Sequence, residues 1–468
     1  MTKSSGTILD GGSRPEGRGA GTEPRSALCK RVLDEFAAAR DTLPTGVVSP
    51  ERRQAAIEAL AARGLPTTRD ENWRYTNLRP LERARFVPAA AAAVAGAPSV
   101  PAASDLPTGL EGFARYTFVD GVFAPELSSP DEQPGLTVRS LRPARGDSAT
   151  LAHLPRALPA SSGLPEARLA LLNEAFATDT AVVRVGGGAS PQRLELVFVA
   201  VAGADQAASY PRVLVALDPG ARLTLVERHI STGNGANFVN SSVHVDAGRG
   251  AQLTHYRLQQ TGARATWLDT LSAVLAADAR YNLLAVNTGA LSARSTTHVQ
   301  MAGAGAELAL SVAALGDRQQ VQDNFALVEH IAPRARTEQT FRGIASGRAR
   351  VGFNGKIAVR EAAAGTDSRQ SLRGLLAGPE AEIDVRPQLE IYTDEVRCSH
   401  GATAGKLDDN MLFYLLSRGL SPEVARRLLK WAFLEDVVSK IEIPELRRHI
   451  ERELAGQMAD AASLKELL

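Results

Sequence analysis

Only two cysteines, Cys29 and Cys398, stand in the 468 residues. Two cannot build a disulfide framework, and such sparing use fits a reducing cytoplasm. No run of about 18 apolar residues occurs, which argues against a membrane-spanning helix. Neither sign of charge dominates: 53 basic and 52 acidic residues leave a net charge of +1. No global field therefore draws nucleic acid or an anionic membrane to the chain. A Walker-type phosphate loop is missing, since Gly186-Gly187-Gly188 runs into Ala189-Ser190-Pro191 without a lysine or a helix start. The 8 histidines are not accompanied by a Gly-x-Ser-x-Gly nucleophile elbow. From Met1 through Ala27 there is almost nothing apolar. This stretch lacks the apolar segment of roughly 7–15 residues that a secretory signal needs. It reads as a disordered arm, because it cannot bury enough surface to offset its ordering entropy.

What is present changes character along the chain. Leu28, Val32, Leu33 and Phe36 recur at helical spacing, as do Ala56, Ile57 and Leu60, with Pro44, Gly46 and Pro50 as breaks between them. Glu71-Asn72-Trp73-Arg74-Tyr75-Thr76 reads as a loop anchored by Trp73 and Tyr75 on a neighbouring surface. Residues 87–110 and 129–165 look like connectors, and between them Arg115 to Phe123 reads as a β-hairpin with an Asp120-Gly121 turn. Further on, Leu194, Leu196 and Phe198 alternate with other residues, as do Val213, Val215 and Leu217, and then Val243 and Val245. That two-residue period marks strands with one buried face.

A turn-plus-strand unit also recurs, beginning at Gly220, Gly250, Asp278, Gly305 and Glu380. The first four copies are about 28 residues apart, within the range of a solenoid repeat, and no amphipathic helices separate them. A β-solenoid is the natural reading; a sandwich of unrelated hairpins is the alternative. Glu227, His229, His244 and His255 fall on successive strands and read as polar faces or internal ladders rather than as a catalytic cluster. After residue 400 the period turns helical. Asp408 is a candidate N-cap, Gly419 a stop, and Ser421-Pro422 a second start whose stripe is Val424, Leu428, Trp431 and Val438. Pro444 opens a third helix toward Leu454.

Cys398 and His400 sit at this change of character, in Arg397-Cys398-Ser399-His400-Gly401-Ala402-Thr403. Thiolate and imidazole suit iron, copper or zinc. The plainer reading makes Cys398 a small buried hydrophobe and His400 a turn hydrogen bonder. Two ligands do not complete a tetrahedral site, so a metal needs further donors: Glu390, Asp394 and Glu395 nearby, or a second polypeptide.

The run Pro387-Gln388-Leu389-Glu390-Ile391-Tyr392, then Asp394 through Thr403, then Leu412 through Gly419, resembles the signature of the SufB/SufD family of iron–sulfur cluster assembly proteins. Gly64-Leu65-Pro66-Thr67, Glu71, Trp73-Arg74-Tyr75-Thr76, Pro211-Arg212-Val213 and Phe353-Asn354-Gly355-Lys356-Ile357 also fit it. Glu395 stands where the family commonly has a second aspartate. SufB-type chains carry a further, sulfur-accepting cysteine upstream; this sequence has none between residues 30 and 397, which places it on the SufD side.

The resemblance implies a mainly β chain, a right-handed parallel β-helix flanked by N- and C-terminal helical regions. On that reading 1–27 is the arm, 28–110 the N-terminal helical region and connector, 111–400 the β-helix, and 401–468 an ATPase-docking region. It implies a cytoplasmic, non-catalytic subunit that pairs edge to edge with a SufB-like chain and docks a SufC-like ATPase, with no nucleic acid or membrane partner. ATP would act only through SufC, whose closure would distort the interface. His400, with Cys398 beside it, would take part in holding iron or a transient cluster shared with SufB. Phe413, Tyr414 and Arg418 would face the ATPase. A homodimer and a reduced flavin at the level of the complex stay open. The rival readings are a purely structural partner that ligates no iron, and a carbohydrate-active β-helix enzyme, which would usually carry a secretory signal.

Overall fold

The computed structural model describes residues 26–76, 78–88, 101–131, 133–142, 167–188, 190–201, 207–233 and 235–458. The expected arm lies outside these residues except for Ser26 and Ala27. Ser26 caps the first helix, α1 (Ala27–Ala39), by accepting from the Cys29 amide. The predicted breakers separate α1 from α2 (Pro50–Arg63). Gly64 ends α2 at a φ of +72°, which glycine adopts without strain. A short α3 (Arg79–Arg83) follows.

The sheet region opens with β1 (Val87–Pro88), β2 (Ala114–Val119), β3 (Val122–Phe123) and β4 (Leu136–Ser140). β2 and β3 form the expected hairpin, with Asp120 and Gly121 both at positive φ. β4 is a correction: it falls inside the stretch read as a connector, most of which lies outside the described residues. Just beyond comes α4 (Arg168–Phe176), which has no periodic stripe because it is buried on every side.

The repetitive body begins with β5 (Ala181–Val185), β6 (Gln192–Val201), β7 (Ala207–Ser209) and β8 (Arg212–Leu217). It continues through β9 (Arg222–Thr232), β10 (Asn237–Ala247), β11 (Gln252–Gln260), β12 (Thr266–Leu275) and β13 (Arg280–Asn287). Then come β14 (Ser292–Met301), β15 (Glu307–Gly316), β16 (Val321–His330) and β17 (Arg336–Ala345). The last coils are β18 (Arg350–Val359), β19 (Thr366–Leu376), β20 (Glu382–Ile391) and β21 (Val396–Gly405).

From β8 onward, even-numbered strands stack in parallel in one sheet and odd-numbered strands in the other. The result is a β-solenoid of about seven turns, as expected, and not a sandwich of hairpins. Its core lies between the sheets, a continuous column from Ala114 to Leu372. Four of the five recurring units start β9, β11, β13 and β15, and their turn residues Gly220, Gly250, Asp278 and Gly305 all have positive φ. The fifth does not belong to that series. Glu380–Ile383 leads into β20, in the opposite sheet, so its similarity reflects turn chemistry rather than coil phase.

Helices cover the outer face of each sheet. Leu28, Phe36, Leu60 and Phe176 pack on Phe238 and Leu268 of the first. The anchored loop crosses the same sheet: Trp73 is buried under the Arg294 guanidinium, Thr76 bonds Asp323, Asn72 bonds Asn354, and Glu71 pairs with Arg386.

At the other end of the chain come α5 (Asp409–Ser417), α6 (Pro422–Val438) and α7 (Pro444–Met458). Asp408, Gly419 and Ser421 cap as expected. Leu434, Val437, Leu446 and Ile450 pack on Val226, Leu258 and Ile344 of the second sheet. The stripe read for α6 is corrected in part. Val438 is buried, and Leu434 and Val437 share that face, while Leu428 points away and is exposed. α6 thus has two apolar faces, one anchored and one open. Among the described residues no helix is long and apolar enough to cross a membrane.

Candidate functional site

Cys398 and His400 lie on β21, the last strand of its sheet among the described residues. Side chains alternate along a strand, so residues 396, 398, 400 and 402 share a face. Val396 and Cys398 pack against the solenoid core, which identifies that face as the inner one. One and two coils back, the positions in register with Cys398 are Ser368 and Thr337; those in register with His400 are Gln370 and Gln339. All four are buried. Cys398 is only half-buried and His400 is exposed, because no further coil covers them. The fold therefore places the pair on one face at the open end of the core. The sequence reading missed the buried residues beneath them, although a spacing of one coil was there to find.

The neighbouring edge strand has a related feature. The amides of Glu382 and Tyr392 donate to the carbonyls of Ala349 and Val359. Even-numbered amides of β20 therefore face β18, and odd-numbered ones face the open edge. Pro387 occupies an odd position in mid-strand, so its missing N–H costs the ladder nothing.

The carboxylates named as further donors do not gather around the pair. Glu390 lies on the outer face of the other sheet, ion-paired to Lys356 at 2.7 Å. Asp394 and Glu395 belong to the turn between β20 and β21. Among the described residues no three His, Cys, Asp or Glu side chains come together as a metal cage.

The residues assigned to partner binding cluster on α5, none of whose residues is buried. Phe413 is 72% exposed, and Met411 and Tyr414 are more than half exposed. The Arg418 guanidinium lies 5.0 Å over the Tyr414 ring. Beside them an apolar groove runs between α5 and the open face of α6, lined by Met411, Tyr414, Leu415, Leu428, Leu429 and Ala432.

Three of the four residues read as an internal ladder do meet. Glu227 accepts from His229 Nε2 at 2.6 Å, His255 Nε2 at 3.0 Å and Arg257 at 2.7 Å. Arg257 also holds Asp269 at 2.7 and 2.9 Å, and His255 Nδ1 reaches the Tyr281 hydroxyl at 3.0 Å. Burial pushes the Glu227 carboxyl up, but Arg257 and the two histidines outweigh it and hold it well below the usual range. Burial lowers the pKa of His255. His244 stands apart, bonded to Ser272 at 2.9 Å. The cluster is enclosed by the solenoid wall and reads as an internal ion-pair ladder.

The chain is similar in sequence to known proteins over most of its length. Residues 199–433 match the family model described as "SUF system FeS cluster assembly, SufBD core domain". The iron–sulfur cluster assembly protein SufD of Escherichia coli is 30% identical over 417 residues, covering 88% of this chain and 94% of that protein. An iron–sulfur cluster assembly SufBD family protein of Synechocystis is 30% identical over 86% of this chain and 89% of its own length. One from Mycobacterium tuberculosis is 28% identical over 82% and 87%.

Proposed function

The chain belongs to the SufBD family of iron–sulfur cluster assembly proteins, and on that premise we propose that it is a SufD-like scaffold subunit. It would act in the cytoplasm, without turnover of its own. Its partner at the open end of the solenoid would be a SufB-like chain. The observation that carries this reading is the unfinished last coil. Cys398 and His400 face the core there, yet the positions in register with them are buried in the coils behind.

Unpaired strand edges invite pairing with another chain. A docked partner would cover the two side chains and could bring the donors that this chain does not gather. The nascent cluster, or iron, is cargo here. His400 would ligate it through one ring nitrogen, with a thiolate from the SufB-like chain as the companion ligand. Cys398 is packed against the core, which favours a supporting role for it over direct ligation. The C-terminal helical region, which begins at α5 because β21 runs on to Gly405, would dock a SufC-like ATPase through Phe413, Tyr414 and Arg418, with Leu428 at the rim of the groove. ATP would then reach the assembly only through that ATPase.

Anaerobic co-expression with SufB-like and SufC-like proteins tests the proposal. Iron, sulfide and visible absorption would be compared between the wild-type and His400→Ala complexes. Assembly of both complexes with loss of cluster in the mutant is the expected result. Equal cluster content would leave the chain a structural partner that stabilises SufB and recruits SufC. Failure of the wild-type proteins to form a complex would overturn the reading.

A further inference from the structure

The inner face of the odd-numbered sheet changes composition toward its open end. The column leading to Cys398 runs Leu223, Leu253, Tyr281, Leu308, Thr337 and Ser368. The column leading to His400 runs Leu225, His255, Leu283, Leu310, Gln339 and Gln370. The next column carries Glu227 and Arg257 in the early coils and is apolar in the last ones, at Val312, Phe341, Leu372 and Ala402. In the last coils the two columns that surface as Cys398 and His400 turn polar.

Buried amides are costly unless they are bonded. Here the amides are held in place from one side only. Gln370 Nε2 donates to Gln339 Oε1 at 2.8 Å and to the Gly355 carbonyl at 2.9 Å. Gly355 is what makes the room. A Cβ at that position would stand 2.7 Å from Gln339 Oε1 and 2.8 Å from Gln370 Nε2. Gln370 Oε1, in a side chain only 4% exposed, has no hydrogen-bond partner among the described residues. One coil on, in register with Gln370, stands His400, and adjacent strands lie about 4.8 Å apart.

We propose that Gln370 is a positioning residue for His400. Its Oε1, which no described residue engages in this structure, accepts the N–H of one imidazole nitrogen once the exposed His400 ring turns inward over it, fixing the tautomer and leaving the other nitrogen's lone pair toward the open end. Histidines that ligate metals generally donate their second N–H to such an acceptor, which orients the ring. Gln339 and Gly355 act one layer deeper by holding the Gln370 amide with its nitrogen inward and its oxygen outward. The inference rests on the role proposed above for His400, but its first test does not depend on cluster chemistry.

That test is nitrogen NMR of the full chain labelled with ¹⁵N-histidine, with His400 assigned by its loss in His400→Gln. Wild-type protein should show a roughly tenfold preference for one His400 tautomer beyond that of free imidazole, the ratio given by a hydrogen bond worth about 1.4 kcal/mol. Gln370→Met, similar in length but without an acceptor, should abolish that preference, and Gln370→Glu, which keeps one, should retain it. Gly355→Ala should act like Gln370→Met by displacing the amide. If Gly355→Ala does not fold, the Gln370 pair still decides. A wild-type ratio equal to free imidazole, or one unchanged in Gln370→Met, overturns the proposal. In the complex, Gln370→Met should lower cluster content several-fold with assembly intact, and Gln370→Glu should restore it. Should His400→Ala keep its cluster while the tautomer result holds, the ligand role fails and the positioning contact stands.

Discussion

Phe413→Ala is the perturbation most sharply bounded by the structure. The ring is 72% exposed and packs in none of the apolar clusters, so its removal takes almost nothing from the folded chain. Alanine is also the better helix former at this place in α5. The melting temperature should therefore stay at or slightly above that of the wild type. If the SufC-like ATPase buries this ring, most of the worth of a phenylalanine goes into binding. Scaled to its exposed fraction, that is about 1–2 kcal/mol, or about 5- to 30-fold in Kd. Tyr414→Ala should act in the same direction, losing its own ring area and the contact with Arg418. The two neighbours need not add. Calorimetric titration of the wild-type and variant chains with the ATPase subunit gives the Kd values, and a thermal melt serves as the control. Affinity within twofold of wild type for Phe413→Ala, in a chain that melts normally, would refute the docking surface as drawn.

Two further predictions concern the solenoid interior. Arg257→Leu leaves Glu227 and Asp269 buried without their shared guanidinium. Unfolding in urea should show about 3–5 kcal/mol lost, and a loss below about 1 kcal/mol would mean that the ladder is not held by this ion pair. Burial lowers the pKa of His330 to about 4, and burial together with Arg212 does the same for His244. Each takes up a proton below about pH 6.5 in the unfolded chain but only near pH 4 in the folded one. Stability should then be complete above pH 6.5 and fall between 6.5 and 4, by about 2 kcal/mol per histidine on reaching pH 5. His330→Gln should shed its share of that acid sensitivity; an unchanged slope would exclude His330 from the response.

Much of this protein is set locally and was legible in the residues. The alternation of Val213, Val215 and Leu217 or of Val243 and Val245 needs only a strand with one dry face, and the turns at Gly220, Gly250, Asp278 and Gly305 need only positive φ. The helix caps at Asp408 and Ser421 act within one turn of chain. The motif around Cys398 and His400 gave the family for a similar reason, because it is contiguous.

What escaped the sequence depends on which strands become neighbours. α4 lacks the periodic pattern that exposure on one side creates, being buried all round. β4 does alternate, Leu136 and Val138 against Thr137 and Arg139, but over too few residues to stand out in a stretch rich in Pro, Ser and Arg. The unit at Glu380 resembles the others in turn chemistry, yet sheet membership depends on coil phase, and a 75-residue gap does not carry that phase. Both faces of α6 are apolar, and only packing on the second sheet decides that Leu434 and Val437 are anchored while Leu428 is open. The column of Gln339, Gln370 and His400 is likewise a tertiary fact. Its members lie a whole coil apart in sequence and come into register only because parallel strands stack at about 4.8 Å. Periodicity within a segment is written in its own residues, whereas contact between coils depends on the length of every turn between them.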